Sequence, residues 1–135
     1  MSSIELVTQD TIGAEVFERV APPGVSRYPK RITVRVDERI LFVRTEDVEW
    51  FEGARNYVRV HVGPQVYRIR MSLRALEEVL DPDRFRRIHR SIIVNLDHVR
   101  EIQPWFSGDY VALLRDRRQL RVSRTFAQEL LRPLQ

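Results

Sequence analysis

Phe85-Arg86-Arg87-Ile88-His89-Arg90-Ser91-Ile92-Ile93-Val94-Asn95-Leu96 is the stretch of the chain that decides how its fold is read. Three Arg, a His, a Ser and an Asn stand there among six large apolar residues. Phe85 and Ile88 can anchor its start in a core, and Ile93, Val94 and Leu96 its end. His89-Arg90-Ser91 is then left between the anchors as a cationic, hydrogen-bonding knuckle. A surface that only has to stay soluble has little use for donors clamped by core residues on both sides. A surface that must hold polyanion contacts in fixed register does. A solvated basic turn beside a core strand is the plain alternative, and composition alone weighs the two evenly.

Upstream of this stretch the hydrophobic period is two. Ile32, Val34 and Val36 alternate with Thr33 and Arg35, Asp37-Glu38 turns, and Ile40 to Val43 runs back. Thr45-Glu46-Asp47 reads as a turn or single helical loop, and Val48 to Glu52 as a third strand that ends at Gly53-Ala54-Arg55-Asn56. Val58, Val60 and Val62 form a fourth strand, which Gly63-Pro64 ends, and Tyr67, Ile69 and Met71 face away from Arg68 and Arg70 on a fifth. At Ser72, a helix N-cap, the period becomes helical: Leu73, Leu76, Val79 and Leu80 make one stripe before Asp81-Pro82. So short a helix owes its stability to docking rather than to propensity.

Downstream, Val99 to Pro104 is a short strand and Trp105 to Asp109 a loop. Tyr110–Leu114 and Gln119–Val122 form a hairpin around Arg115 to Arg118. Ser123 or Thr125 caps a last helix that carries Phe126, Leu130 and Leu134. Trp50 and Trp105 read as core or loop-packing residues. Residues 1–29 read as an N-terminal arm or linker: Ile12, Val16, Phe17 and Val20 suit one short amphipathic helix, and Ala21-Pro22-Pro23-Gly24 stops it. Residues 30–135 form the main domain. Strand and helix do not alternate, so a parallel doubly wound sheet is not expected.

Composition narrows the function classes. The 135 residues suffice for one domain with its own core, and a 43% hydrophobic content is that of a folded globule. There is no Cys, which excludes disulfides and cysteine-bound metal. No apolar run approaches a membrane span, and Met1 to Asp10 lacks a basic start, so a cytoplasmic location is expected. Of the 23 basic residues all but Lys30 are arginine, and the net charge is +4. The first 29 residues are net negative, so the positive charge lies beyond them, clustered at Arg84–Arg90 and Arg115–Arg124. Clustered arginine is the electrostatic footprint of a nucleic-acid binder, because its planar fork grips phosphates and guanine edges at two points. A preference for Arg codons accounts for Arg over Lys, but not for the clustering.

Several pieces in order and spacing together resemble the LytTR DNA-binding domain family. They are Val48-Glu49-Trp50-Phe51-Glu52 followed by Asn56-Tyr57-Val58, the helix segment from Ser72 through Leu76-Glu77 to Leu80, the 85–96 stretch, and Val122-Ser123-Arg124. The resemblance implies a mainly β, elongated antiparallel fold with one short internal helix and a C-terminal helix. In it, loops between strands enter successive major grooves. It implies three contact loops. Gly53–Tyr57 would present Asn56 or Tyr57 to bases, His89-Arg90-Ser91 would present Arg90, and Ser123-Arg124 would present Arg124. Arg55, Arg86, Arg87, His89, Ser91, Arg118, Arg121 and Ser123 are the expected contacts to the DNA backbone. Asn95, between Val94 and Leu96, reads as a buried amide that satisfies backbone groups. The 115–118 hairpin lacks the Asp/Asn-Gly turn frequent in the family, and the family's usual receiver domain has no counterpart in residues 1–29.

The expected partner is double-stranded DNA, with a homodimer on paired half-sites and a separate signalling protein as further candidates, and no membrane. No cofactor or metal is expected, since His61 and His98 have no partner at ligand spacing. Ser91, His89 and Asp97 do not make a hydrolase, because no glycine-bearing turn follows Ser91 to supply an oxyanion site. The reading is a non-catalytic, sequence-specific bacterial transcriptional regulator. The alternative is a nucleic-acid-associated or protein-interaction module, an RNA binder included, without operator recognition. The outward arginines on the strand over 66–71 argue against a single-strand stacking platform.

Overall fold

The computed structural model describes residues 27–132 and, upstream of them, the strand Glu5–Leu6. The strands are β1 (Glu5–Leu6), β2 (Arg31–Val36), β3 (Arg39–Arg44), β4 (Trp50–Gly53), β5 (Val58–Val62) and β6 (Gln65–Ile69). Helix α1 (Leu73–Val79) follows, then β7 (Phe85–His89), β8 (Ile92–Asn95), β9 (Val99–Pro104), β10 (Tyr110–Leu114), β11 (Gln119–Val122) and helix α2 (Arg124–Leu130). This is the mainly β architecture with two helices that the periodicities predict. The expected helix over residues 11–20 and Leu134 lie outside the described residues. Glu5–Leu6 pairs antiparallel with β2, Leu6 opposite Val34, so the upstream segment contributes a strand where sequence periodicity shows only a linker.

Three antiparallel sheets result, in the orders β1-β2-β3, β6-β5-β4-β8-β7 and β11-β10-β9. The five-stranded sheet is covered on both faces, and this explains the dense apolar content of the 85–96 stretch. Phe85 and Ile93 join a first core with Ile32, Val34, Phe51, Val58, Val60, Ile69 and the α1 stripe Leu73, Leu76 and Val79. Ile88 and Val94 join a second core with Ala112, Leu114, Leu120, Val122 and Ala127 of α2. Neighbouring residues on a strand face opposite ways, so Ile93-Val94 serves both cores at once. Each fully buried Val, Ile, Leu or Phe contributes roughly 1.5–3 kcal/mol, which fixes the strand register firmly.

Asn95 is the polar pin of this layer. It is fully buried. Its amide donates to the Val48 carbonyl at 2.8 Å and to that of Glu46 at 3.4 Å, and its oxygen accepts from the Asp97 N–H at 3.0 Å. The structural role read from its setting between Val94 and Leu96 is the one it fills. Helix α1 begins as read from the sequence, with the Ser72 hydroxyl accepting from the Ala75 N–H at 3.0 Å.

Candidate nucleic-acid interface

The β7–β8 register shifts between Arg87 and His89, with Arg87 opposite Ile93 and His89 opposite Ile92. Ile88 is therefore an extra residue, a β-bulge that turns its side chain into the second core and re-aims the strand end. Beyond the bulge, Arg90 is exposed at the tip of the turn. The turn is held from beneath by Arg87. Its guanidinium donates to the carbonyls of His89 (3.0 Å) and Arg90 (2.5 Å) and to Glu77 Oε1 of α1 (2.8 Å). It also lies 5.9 Å from the Phe126 ring centre on α2, and its side chain is only 19% exposed. Arg87 and Arg90 are three residues apart and chemically identical, yet one braces the turn from inside and the other stands free in front of it.

His89 closes the turn. The Ser91 N–H donates to His89 Nδ1 at 3.1 Å, and the Ser91 hydroxyl lies 3.0 Å from the same atom. Nδ1 is thus an acceptor, and the neutral ring carries its proton on Nε2. Burial pushes the His89 imidazole below its ordinary pKa, and Arg121 and Arg90 push it further the same way.

The first expected loop is tied to this turn. The Gly53 N–H donates to the Ser91 carbonyl at 2.8 Å, and the Ala54 N–H donates to the Tyr57 carbonyl at 2.9 Å. A Cβ at Gly53 would sit 2.9 Å from Leu73 Cδ1, so glycine gives the Leu73 side chain of α1 its place against this strand end. Arg55 and Asn56 are exposed. Tyr57 is engaged instead: Arg59 donates to its hydroxyl at 3.2 Å, and the Arg68 guanidinium lies 4.9 Å from its ring centre.

The third expected loop is tied to it as well. The Ser123 N–H donates to the Ile88 carbonyl at 2.9 Å. Ser123 stands at the N-cap of α2, but its side chain makes no capping bond. Asp109 does so from across the sheet, with Oδ1 accepting from the Arg124 N–H at 2.9 Å and Oδ2 from Arg121 Nη2 at 2.7 Å. These two partners hold the Asp109 carboxyl below the usual carboxylate range. Arg121 and Arg124 are exposed, and Arg86 is half-buried on β7.

One expected contact is not gathered here. Arg118 lies in the β10–β11 turn, donating to the Gly63 carbonyl at 3.3 Å and paired with Asp116 at 3.5 Å. That turn and the Ser123-Arg124 loop are at opposite ends of β11, separated by a strand of roughly 13 Å. At that far end burial, reinforced by Asp116, pushes the Glu49 carboxyl above the usual carboxylate range. Nearby, His61 stacks on Trp50 with ring centres 3.7 Å apart, and its Nε2 lies 3.1 Å from Glu52 Oε1.

Residues 38–135 match the LytTr DNA-binding domain family. The chain belongs to that family. It is 34% identical over 100 residues to the sensory transduction protein LytT of Bacillus subtilis (strain 168), a match over 74% of this chain and 42% of LytT. It is 34% identical over 92 residues to the transcriptional regulatory protein YpdB of Escherichia coli O6:H1, over 68% of this chain and 38% of YpdB. The chain thus spans less than half the length of these relatives. A solved LytTr DNA-binding domain from Bacillus cereus superposes with a TM-score of 0.71 at 24% identity, over 78% of this chain and 99% of that one, which establishes the shared fold. The family is a DNA-binding one rather than an enzyme class.

Within this LytTR domain, sequence reasoning passed over Asp109 and Glu77. Asp109 sits in a loop without periodicity and meets its arginines 12 and 15 residues away. Glu77 looks like any solvent-facing helix residue until α1 docks beside Arg87. Trp105 is a correction. It is 56% exposed rather than packed, and Phe106 beside it is 72% exposed. No helix among the described residues is long and apolar enough to cross a membrane.

Proposed function

We propose that this domain binds duplex DNA sequence-specifically, as the DNA-reading part of a bacterial transcriptional regulator in the cytoplasm. The observation that carries the reading is the pair of backbone bonds Gly53 N–H to Ser91 C=O and Ser123 N–H to Ile88 C=O. Through them three loops far apart in sequence share one rigid platform, with exposed Arg90, Arg124 and Asn56 as its tips. Loops fixed to one another can enter successive major grooves with little ordering cost. Arg90 and Arg124 read guanine edges through two-point hydrogen bonds, and Asn56 reads an adenine edge. Tyr57 joins the first loop with Arg59 and Arg68 on its ring. Arg55, Arg86, His89, Ser91, Arg121 and Ser123 meet the sugar-phosphate backbone. Arg87 positions the Arg90 turn, and Arg118 lies outside this interface.

The relatives are named sensory transduction and transcriptional regulatory proteins. On that footing the regulator takes its input from a signalling partner or region and occupies paired half-sites as a homodimer. Selection of bound duplexes from a random pool, followed by footprinting, tests the reading. With five to seven phosphates engaged, log K against log salt falls with a slope of roughly −4.5 to −6.3. Arg90→Ala and Arg124→Ala each weaken the selected site by roughly 1–3 kcal/mol and leave non-specific binding nearly intact. A flat salt response, or a preference for single strands of the same sequence, refutes it.

A further inference from the structure

We propose that Trp105 and Phe106 make a fourth contact to the duplex, an apolar one. Its target is the nucleotides flanking the base that Arg124 reads, through their deoxyribose C–H edges and thymine methyl groups. This rests on the DNA-binding reading above. Trp105 and Phe106 are 56% and 72% exposed, with ring centres 5.0 Å apart in an edge-to-face pair. Large exposed apolar side chains also occur on β3, at Ile40 and Phe42, but they belong to the other outer sheet. What distinguishes the aromatic pair is its attachment to the arginine end.

The loop that carries the pair is bonded to Arg124 from several directions. Arg124 Nη1 donates to the Ser107 carbonyl at 3.5 Å, and the Arg124 N–H donates to Asp109 at 2.9 Å. A Cβ at Gly108 would lie 3.4 Å from Arg124 Cδ. The Trp105 N–H donates to the Asp109 carbonyl at 2.8 Å, and the Asp109 N–H donates to that of Phe106 at 2.9 Å. Ser107 and Gly108 both take left-handed backbone, with φ of 56° and 84°. A non-glycine residue adopts that conformation at a cost, so the surroundings hold the loop in one shape. An apolar wedge held in one shape therefore stands beside an exposed cationic reader. Wherever Arg124 reaches a base edge, the pair meets the neighbouring sugars or the methyl-bearing edge of a thymine. Both offer the apolar surface that rings exposed to water lack.

The test uses the full chain and a duplex selected by the wild type from a random pool. Phe106→Ala and Trp105→Ala each raise Kd about five- to thirtyfold, the worth of burying the roughly two thirds of an aromatic side chain that stands exposed. The salt slope stays unchanged, because an apolar contact releases no counterions. Phe106→Leu keeps most of the affinity. In the wild-type chain the duplex shields Trp105 fluorescence from acrylamide, a signal identified by its loss in Trp105→Phe. This shielding needs no loop-truncating variant. Replacing flanking thymines by uracil separates the two sources: lost affinity assigns the methyl groups, and retained affinity assigns the sugars. Equal affinity of the wild type and the double alanine variant, with Trp105 quenched alike with and without duplex, overturns the fourth contact alone. A wild-type chain that selects no duplex overturns the DNA-binding reading itself.

Discussion

Arg87 offers the sharpest test of the division of labour at the Arg90 turn. If it met phosphate, its charge would matter most; as a brace, its fork geometry matters most. The fork makes three bonds, to two turn carbonyls and Glu77, from a side chain that is 19% exposed. Hydrogen bonds from a charged donor are each worth roughly 1.5–3 kcal/mol, and the half-exposed Glu77 pair adds only about 0–1 kcal/mol. The two carbonyls can recover some water once the side chain is gone. Arg87→Ala should therefore cost about 2–4 kcal/mol of stability, a large share of the roughly 5–15 kcal/mol that holds a domain together. Arg87→Lys keeps the charge but reaches one acceptor where the fork reached three, and should still cost about 1–2 kcal/mol. Urea unfolding measures both. Fluorescence anisotropy on a selected duplex at several salt concentrations then separates the roles. A brace predicts that both variants lose specific affinity with the salt slope unchanged, since no ion contact is removed. A phosphate contact predicts that Lys rescues binding and that Ala flattens the slope by about one unit. An Arg87→Ala chain that unfolds at the wild-type urea concentration and shows that flattened slope would refute the bracing argument.

Gly53→Ala should lower stability by about 1–3 kcal/mol, because the new methyl meets Leu73 at 2.9 Å, and the loss should appear as a lower thermal midpoint. Asn95→Ala strands the buried Val48 carbonyl and removes the acceptor of the part-buried Asp97 N–H, and should cost about 2–4 kcal/mol in urea unfolding, with no change in operator sequence preference. His61 and His89 both have pKa values lowered first by burial, so the unfolded chain binds more protons below the ordinary imidazole value near 6.5. Stability should therefore be full above about pH 6.5 and fall as the pH drops through the lowered folded values. The decline should be shallower in His89→Gln, and an urea midpoint that rises between pH 7 and pH 5.5 would contradict the assignment.

Much of the strand plan was legible because alternation is written between near neighbours. Ile32 to Val36 and Val58 to Val62 each show it, and each lies in a strand. Ser72 announced α1 because a cap acts within three residues. Glu5–Leu6 was not legible, since a two-residue strand carries no period and exists only by pairing with β2. Trp105 was misread as a packing residue because an aromatic side chain has the same composition signal in a core and on a loop tip.

The sequence by itself determined the mainly β class of fold and the positive charge, which follow from local pattern and composition, and its resemblance to the family marked out three loops along the chain. Only the tertiary structure decided which arginines are available. Arg87, Arg90, Arg118, Arg121 and Arg124 are one residue type, and nothing in their neighbours along the chain tells brace from tip. Arg87 became a brace through Glu77 on another element, Arg118 in its hairpin turn was engaged by Gly63 on another sheet, and Arg124 was set in place by Asp109. A guanidinium is free or committed according to the acceptors within about 3 Å of it, and those arrive from distant parts of the chain only when the cores close.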